Sequence, residues 1–566
     1  MGGTARRNEG VYGPGSFTDT SFVPVPLECK RLLKHLALNT PGFTNDVNVL
    51  DGVTFEGEDL PVIPGPIKSQ AMTTVLHAMV GIVGQEILEL REIPRSPITV
   101  NTTQASMYCA TPALVSVDGI DGIEVLKNPH LPKFTDGQLD DALKIRTTSI
   151  YPTSNPKRWY QLHGSTLADP VMSALGIKSS QKITSYNEAY ELIKQKTLKL
   201  SPYDLDMMML EKGLCGSICY TPQEWRDTKM GKDLARYPLI NYKKMAHASP
   251  TPPVPFSRDL SDKRPLAGVK VLELARIIAA PASGMILASL GAEVVRVQAR
   301  HKMDFTPAQL TLMAGKSSYD LNLDDPSDSD RLWQLVKDAD VILQGYRLRS
   351  LEHRGFGLDA VLEMASARGK GIIYLDENCY GLEGYMAERP GWQQIGDAAS
   401  GCSYVMGKAY GLPEGQSVLP SLPIADMSTG VVAALEIMMM LRERAKDGGS
   451  WHGNAALTAF QAVSLEEWVG LYQPEVVAEI QEKFKFKPMT SDLHVIELYY
   501  LIADAWKANS DLIRNEKYYT HFYDSVYGKD LRTLAPVIRY GDQESSPRWT
   551  GPPVPFCQSR DARWAR

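Results

Sequence analysis

One carboxylate stands out in the stretch "LPIADMSTG" (422–430), where Asp426 lies among small and apolar residues just before a strongly helical run. An Asp in such a place can cap the helix, because its side-chain oxygen accepts from the unpaired backbone N–H groups of the first turn. The same carboxylate can instead be a reagent, since an ionised acid acts as a base or a nucleophile. For an Asp taken alone the cap is the more common case, so the rest of the chain must decide between the two.

Length and composition define the class of protein. The chain has 566 residues, enough for two or more domains, with 43% apolar and 22% charged residues, as in ordinary globular proteins. A net charge of -6 and the lack of a basic cluster indicate no nucleic-acid partner. The longest apolar stretch, "GVVAALEIMMML", is interrupted by Glu436 and is too short to cross a bilayer, and the first residues do not resemble a signal peptide. We therefore expect a cytoplasmic protein without a membrane partner.

The histidines and cysteines do not predict a metal site. Ten histidines and seven cysteines are dispersed along the chain, and the closest cysteine pair, Cys215 and Cys219, lacks the spacing of a zinc ribbon. We expect no bound metal.

The chain contains segments that resemble one another. "TPPVPF" (251–256) returns as "GPPVPF" (551–556), and "GKDLARYPLI" upstream of the first returns as "GKDLRTLAPVI" upstream of the second. A looser likeness links the regions 60–92 and 422–445. Three likenesses in the same order predict two related halves, joined by a proline-rich linker.

The second half has the pattern of a parallel sheet. "GVKVLELARIIAAPASGMILASLGAEVVRVQA" (268–299) alternates a strand, a helix and a second strand, and further strands are predicted in "SSYDLNL", "DVILQGY" and "ARGKGIIYLDEN". Strands that alternate with helices of ten to fifteen residues indicate a parallel sheet covered on both faces. No G-x-G-x-x-G follows the first strand, so the dinucleotide fingerprint is missing.

These motifs resemble the family III CoA-transferases, the group that includes formyl-CoA transferase, carnitine CoA-transferase and α-methylacyl-CoA racemase. Six segments carry the resemblance in family order: "PLAGVKVLELARIIAAPASGMILASLGAEVVRVQ" (265–298), "KSSYDLNLDD" (316–325), "DADVILQGYR" (338–347), "HRGFGLDAV" (353–361), "RPGWQQIGDAASG" (389–401) and "LPIADMSTG". The first half is similar to later parts of such proteins, more faintly.

The resemblance implies an α/β fold with a Rossmann-like parallel-sheet large domain and a small α/β domain, of the interlocked-ring type and here internally duplicated. The expected division is a degenerate half with the small domain at 1–246, a linker at 247–264, the Rossmann-like core at 265–465 and a helical C-terminal return segment at 466–566. The protein is then a homodimer or a pseudo-dimeric monomer. In the first half Ile67 or a neighbour falls where the second half has Asp426, so that half has no nucleophile of its own.

The resemblance also places Asp426 on the catalytic carboxylate of the family. A carboxylate that attacks a thioester gives a mixed anhydride, which keeps the energy that an ester with serine would lose. Released CoA then forms an aspartyl-CoA thioester, and an acceptor acid completes the exchange. We expect the partial positive charge of the helix N-terminus to keep Asp426 ionised. Small neighbours such as Gly430 would leave room for the thioester.

The expected enzyme is thus a transferase of sulfur-containing groups, with acyl-CoA and a small carboxylic acid as substrates and no permanently bound cofactor. Two alternatives stay open. An acyl-CoA racemase would need a base where Trp392 replaces the family's histidine, and a CoA-binding relative without activity would fit the altered contact residues. By resemblance, the CoA-contact residues are Ile277, Arg300, Tyr346, His353 and Arg354. The substrate pocket is assigned to Trp392, Gln393 and Gly401, although the small residues around Gly401 suit helix packing equally well.

Overall fold

The computed structural model describes residues 7–134, 141–246 and 250–565. Parts of three predicted segments lie outside these ranges: residues 1–6 and 135–140 of the first half, 247–249 of the linker and residue 566 of the C-terminal segment.

The first half, up to residue 246, contains short strands and helices, of which Ser69–Leu90 is the longest. Its strands are β1 (Arg7–Glu9), β2 (Phe17–Asp19), β3 (Val53–Glu56), β4 (Ile98–Asn101), β5 (Ser116–Val117), β6 (Ile120–Asp121), β7 (Ile150–Pro152), β8 (Trp159–His163), β9 (Cys215–Ile218) and β10 (Tyr242–Lys244). Its helices are α1 (Val25–Leu38), α2 (Val47–Asp51), α3 (Ser69–Leu90), α4 (Thr102–Tyr108), α5 (Ala142–Arg146), α6 (Asp169–Ala174), α7 (Tyr186–Thr197), α8 (Pro202–Glu211), α9 (Pro222–Asp227) and α10 (Lys229–Leu234).

The second half alternates strands and helices as predicted. Its strands are β11 (Lys270–Leu274), β12 (Glu293–Gln298), β13 (Lys316–Asp320), β14 (Val341–Gln344), β15 (Ile373–Asn378), β16 (Trp451–Ala456), β17 (Tyr519–Ser525), β18 (Gly528–Leu534) and β19 (Ile538–Tyr540). Its helices are α11 (Ala279–Ser289), α12 (Pro326–Asp338), α13 (Leu358–Ala367), α14 (Gln393–Ser400), α15 (Cys402–Ala409), α16 (Ile424–Asp447), α17 (Leu457–Ser464), α18 (Pro474–Phe484) and α19 (Val495–Asn509).

The main sheet has seven strands in the order β10-β16-β15-β14-β11-β12-β13. Neighbours in β11 to β16 pair in parallel, and β10 of the first half adds to β16 antiparallel. Taken along the chain, the six parallel strands have the order 3-2-1-4-5-6 of doubly wound nucleotide-binding folds. The predicted mixed α/β architecture with a parallel sheet is confirmed.

Buried apolar side chains alternate between the two faces of this sheet. On β11, Val271 packs in the cluster that contains α11 and α16, whereas the next residue, Leu272, packs against α12 and α13. Because side chains of a strand point alternately to opposite faces, a strand covered by helices on both sides is apolar throughout. The run "VLEL" is therefore apolar except at Glu273.

Two long helices, α3 and α16, lie side by side in the core. The hydroxyl groups of Thr73 and Ser428 are 2.8 Å apart between them, and Arg442 of α16 pairs with Glu86 of α3. Each helix is long and apolar enough to cross a membrane by length and composition, yet each is buried inside the protein. The apolar stretch judged too short from the sequence is part of a helix of 24 residues.

Gly430 serves the packing of α16 against α11. A Cβ atom on Gly430 would lie 2.7 Å from the carbonyl oxygen of Ala279 and 2.8 Å from the Cβ of Ala282. The expectation that Gly430 leaves room for substrate is replaced by this close helix contact.

We therefore expect Gly430→Ala to lower the free energy of unfolding by about 1 to 3 kcal/mol, because the added methyl overpacks a helix interface. Urea unfolding measures the change. Gly396→Ala is the matched control, since its Cβ would meet neighbours at an ordinary 3.5 Å inside a helix. Equal stability of the two variants would contradict the prediction.

The first and last parts of the chain are interwoven. The C-terminal segment, predicted to be helical, contains α18 and α19 and then three strands, of which β18 pairs with β5 and β19 with β4. In the first half, β7, β8 and β9 form a small sheet that packs with α5 to α8 around its own apolar cluster. The described part of the linker, 250–264, is held by the buried Arg91, which donates to the carbonyls of Ser257, Asp259 and Asp262.

Candidate active site

A cavity of about 610 Å³ opens where the parallel strands end. The carboxyl ends of parallel strands meet at one edge of a sheet, and ligands of doubly wound folds bind in the crevice where the strand order reverses, here between β11 and β14. Residues at or just after the carboxyl ends of all six parallel strands line the cavity, including Arg276, Ile277, Ala299, Lys302, Asp324, Tyr346, Arg347, Glu377 and Leu457.

Asp426 lies at the end of this cavity, as the third residue of α16. The helix begins after Pro423 without a side-chain cap. The carboxyl group of Asp426 makes no hydrogen bond or ion pair with any residue that the structure describes, and the residue is 8% exposed. Asp426 is therefore not a helix cap; its oxygens are open to whatever enters the cavity.

Burial controls the ionisation of Asp426. It raises the pKa of this carboxyl from an ordinary 3.8 to about 7. This is opposite to the direction expected from the helix N-terminus. Removing a carboxylate from water costs more free energy than the first turn of a helix restores, because no N–H group donates a hydrogen bond to this carboxylate. At neutral pH the protonated and ionised forms of Asp426 are thus both populated.

A second, smaller cavity of about 130 Å³ lies on the other side of Asp426. Most of its exposed wall area is apolar, with Ile145, Met303, Phe305, Val495 and Ile496 among the apolar residues. Polar side chains also line it, including Lys144, His163, Asp304 and His494. Residues that line both cavities are Ser165, Thr166, Ile277, Ile278, Trp392 and Asp426. Asp426 therefore lies at the junction of a large cavity of mixed lining and a small, mainly apolar one.

Trp392 forms part of the wall between the two cavities. Its ring is stacked on His163 of β8, with ring centres 5.1 Å apart and planes 3° from parallel. Its Nε1–H donates to the Oγ of Ser165 at 3.2 Å. The first half of the chain therefore holds a side chain of the second half in place at the site.

The other two predicted pocket residues have different places. Gln393 lines the smaller cavity, and its Nε2 donates to Asp397 at 3.0 Å and to the carbonyl of Leu422 at 3.1 Å. Gly401 lies outside the lining of both cavities. It ends α14 with a φ of 101°, and a Cβ there would lie 2.6 Å from the backbone nitrogen of Pro222. Gly401 therefore serves the close packing of α14 against the start of α9, as in the helix-packing alternative, and does not line the substrate pocket.

Ile277 has a strained backbone. Its φ is 71°, a left-handed conformation that is rare for a β-branched residue. Its N–H donates to Asp304 at 2.9 Å, and Asp304 is in turn paired with the buried Arg296 at 2.6 Å. Strain of this kind persists where surrounding structure enforces it, and it is concentrated at functional sites.

Arg296 belongs to a fully buried ionic cluster beneath the cavity. Lys316 pairs with Glu273 at 2.6 Å, and the Nε of Arg296 lies 3.5 Å from the same carboxylate. Burial lowers the pKa of Lys316 to about 8. Asp304 completes the cluster, so the backbone of Ile277 is anchored to a set of mutually compensating charges.

The remaining predicted CoA contacts divide into two groups. Tyr346, His353 and Arg354 line the larger cavity, and Arg354 pairs with Asp324 at 3.1 Å. Arg300 does not line it; its exposed side chain pairs with Asp320 and donates to the carbonyl of Cys557.

Several residues at the site were not found from the sequence. In the second half these are Arg276, Lys302, Arg347 and Glu377. Each lies at or just after the end of a predicted strand. Their position at the carboxyl edge of the sheet could therefore have identified them as site residues. Residues from outside the core also contribute: Lys144, His163, Ser165 and His494. For these the sequence carries no comparable signal.

A metal ion has no evident place here. Across the described ranges of the chain, no group of three or more His, Cys, Asp or Glu side chains is arranged to hold one.

Known proteins resemble this chain over much of its length. The profile of CoA-transferase family III matches residues 266–500. An acyl-CoA transferase of Gibberella moniliformis is 54% identical over 559 residues, which cover 98% of this chain and 98% of that protein. Acetyl-coenzyme A transferase nodX of Hypoxylon pulicicidum is 28% identical over 507 residues, 87% of this chain and 84% of that protein. The succinyl-CoA:glutarate CoA-transferase of Homo sapiens is 29% identical over 226 residues, 38% of this chain and 50% of that protein.

Proposed function

Because the chain belongs to CoA-transferase family III, we propose that it moves CoA from an acyl-CoA to a carboxylic acid through a covalent intermediate on Asp426. One observation carries the proposal. A carboxyl group without a hydrogen-bond partner among the described residues lies where a large cavity of mixed polar and apolar lining meets a small, mainly apolar one, an arrangement that suits a CoA thioester.

The larger cavity suits the CoA moiety. Its volume of about 610 Å³ falls within the usual range of ligand sites. Basic side chains along its wall attract phosphate groups, and they are Arg276, Lys302, Arg347, His353 and Arg354. Tyr346 adds an aromatic face suited to an adenine ring. The acyl group then extends past Trp392 into the smaller cavity.

The reaction begins with ionised Asp426. Its oxygen attacks the thioester carbonyl, the C–S bond breaks, and a mixed anhydride forms with release of CoA. CoA then attacks the aspartyl carbonyl and displaces the donor acid, which leaves an aspartyl-CoA thioester. An acceptor carboxylate reverses the two steps and departs as the new acyl-CoA. The high-energy acyl bond is retained throughout because no step uses water.

The fused architecture is part of the proposal: the first half takes the place of a second, degenerate copy in an interlocked assembly. The long helices α3 and α16 lie together, and the fifth residues of each, Thr73 and Ser428, are in contact. The third residue is Asp426 in one helix and Ala71 in the other, so by helix position Ala71, rather than Ile67, matches Asp426. One chain would then carry one nucleophile and both walls of its site.

Racemisation is disfavoured by the surroundings of Trp392. The histidine stacked on it, His163, has both ring nitrogens engaged: Nδ1 accepts from the N–H of Ser165 and Nε2 lies 3.1 Å from Gln394. Burial lowers the pKa of His163 to about 3. His163 therefore does not replace the missing base.

Trapping tests the proposal. The protein is incubated with short-chain, branched and dicarboxylic acyl-CoAs and then with hydroxylamine, and the peptides are mapped by mass spectrometry. A hydroxamate on Asp426 is expected. Exchange of the α-proton without an adduct would indicate a racemase, and binding of CoA with neither result would indicate a protein without activity. Either of these two results would overturn the proposal.

A further inference from the structure

A second carboxyl group, Glu377, faces the larger cavity. It lies near the carboxyl end of β15 and lines the same cavity as Asp426. A Cβ on Gly345, which follows β14, would lie 3.1 Å from the Oε2 of Glu377. The carboxyl group of Glu377 is thus held over the crevice between strands, where the absence of a side chain at residue 345 makes space for it.

Glu377 has no partner of its own. Within 7–134, 141–246 and 250–565, no residue forms a hydrogen bond or ion pair with its side chain. A partly buried acid without a partner loses hydrogen bonds to water and gains none from the protein. Such a group requires an explanation, and a ligand that supplies the missing contact is one.

The surroundings keep Glu377 protonated at neutral pH. Burial, assisted by the charge of Asp426, raises the pKa of Glu377 to about 8. Cys379 lies two residues further along the chain, and Arg276 and Arg347 line the same cavity from the ends of β11 and β14. The carboxyl groups of Asp426 and Glu377 are therefore coupled, as the buried Asp397 is to Asp426, and Asp426 ionises first.

We propose that Glu377 is a catalytic residue that gives a proton to the sulfur of departing CoA and takes it back when CoA returns. The inference rests on the function proposed above. It differs from the part played by Asp426, since Glu377 forms no covalent bond with the acyl group.

Protons and electrons balance over the cycle. When the oxygen of Asp426 bonds to the acyl carbon, the C–S pair goes to sulfur and the proton of Glu377 moves to that sulfur, which leaves a thiol and an ionised Glu377. In the next step Glu377 removes the thiol proton while sulfur attacks the aspartyl carbonyl, and the donor acid leaves as a carboxylate. Glu377 is protonated again, ready for the second half of the exchange.

The test uses Glu377→Gln, which keeps the size of the side chain and its ability to donate a hydrogen bond but cannot exchange a proton. The assay is exchange of labelled free CoA into the acyl-CoA that reacts fastest in the trapping panel, without acceptor acid, so that only the sulfur steps are measured. We expect the exchange rate to fall about 10²-fold. For the wild type we expect a rate that rises as Asp426 ionises near pH 7 and falls as Glu377 ionises near pH 8. The variant should lose the alkaline fall.

Glu436→Gln is the matched control. Glu436 is another buried glutamic acid, on α16, whose carboxyl accepts from the backbone N–H of Asn241 and lies outside both cavities. Its exchange rate and pH profile should match the wild type. Thermal melting should show Glu377→Gln to be no less stable than the wild type.

Two results would overturn the inference: a Glu377→Gln variant that exchanges CoA at the wild-type rate, or a slower variant that keeps the alkaline fall. Neither would touch the proposed function, because a hydroxamate on Asp426 would still form in the variant. If the wild type itself gave no hydroxamate, the proposed function would fail first.

Discussion

Replacing Asp426 by Asn is expected to abolish CoA transfer, with a loss on the order of 10³-fold or more in kcat. The amide keeps the size of the side chain but is not a nucleophile, and no other carboxylate described in the chain lines both cavities. Steady-state transfer between the best acyl-CoA and acid pair measures the effect. Binding of free CoA, followed by calorimetry, should change little, because the proposed CoA contacts lie along the rest of the larger cavity.

The same variant should be more stable than the wild type, and increasingly so as the pH rises. Folded Asp426 keeps its proton up to about pH 7, whereas the unfolded chain loses it near pH 3.8. The folded state thus binds more protons between these values, so its stability falls with rising pH, and Asn removes that dependence. The two proteins should be alike near pH 4 and differ by on the order of 4 kcal/mol at pH 8.

The exposed Asp338 at the end of α12 provides the control, since Asp338→Asn should leave activity unchanged. An Asp426→Asn protein with full activity would refute the covalent mechanism. A stability difference that does not grow with pH would refute the assigned protonation.

Replacing Asp304 by Ala is expected to lower the free energy of unfolding by about 3 to 5 kcal/mol, because it leaves Arg296 buried without its closest counter-ion. It also removes the acceptor for the N–H of Ile277, so the strained turn between the two cavities should relax. We therefore expect kcat to fall even at temperatures where the variant is folded. Urea unfolding and transfer assays measure the two effects.

Glu124→Gln is the comparison for this change. Glu124 pairs with Lys127, and both side chains are more than half exposed, so breaking the pair should cost no more than about 1 kcal/mol. If Asp304→Ala were as stable as that variant, the buried cluster would not be what holds Ile277 in place.

Much of the architecture could be predicted because it depends on local patterns. Runs such as "KVLEL" and "EVVRVQ" place apolar side chains on both faces, which is typical of a strand inside a parallel sheet. The carboxyl ends of the predicted strands could also have indicated where a ligand would bind, although the site residues were taken from the family resemblance. Asp426 was found through the motif that surrounds it, although its ionisation was misjudged because burial is a property of the folded protein.

What escaped prediction depends on contacts between distant segments. The register of the loop after β12 brings Lys302 rather than Arg300 to the cavity, and a shift of two residues is invisible in sequence. The left-handed conformation of Ile277 is imposed by Asp304, 27 residues away. Ser165 and His494 reach the site only through folding of both ends of the chain around the core.

The smaller cavity has one further consequence. Lys144, Ile145, Thr148 and His163 line it from the first half, while Asp426, the proposed nucleophile, comes from the second. Substitutions in the first half could therefore change which acyl chains the protein accepts. They would leave Asp426 and the chemical step unchanged. This division of the wall separates the choice of acyl group from the proposed chemical step.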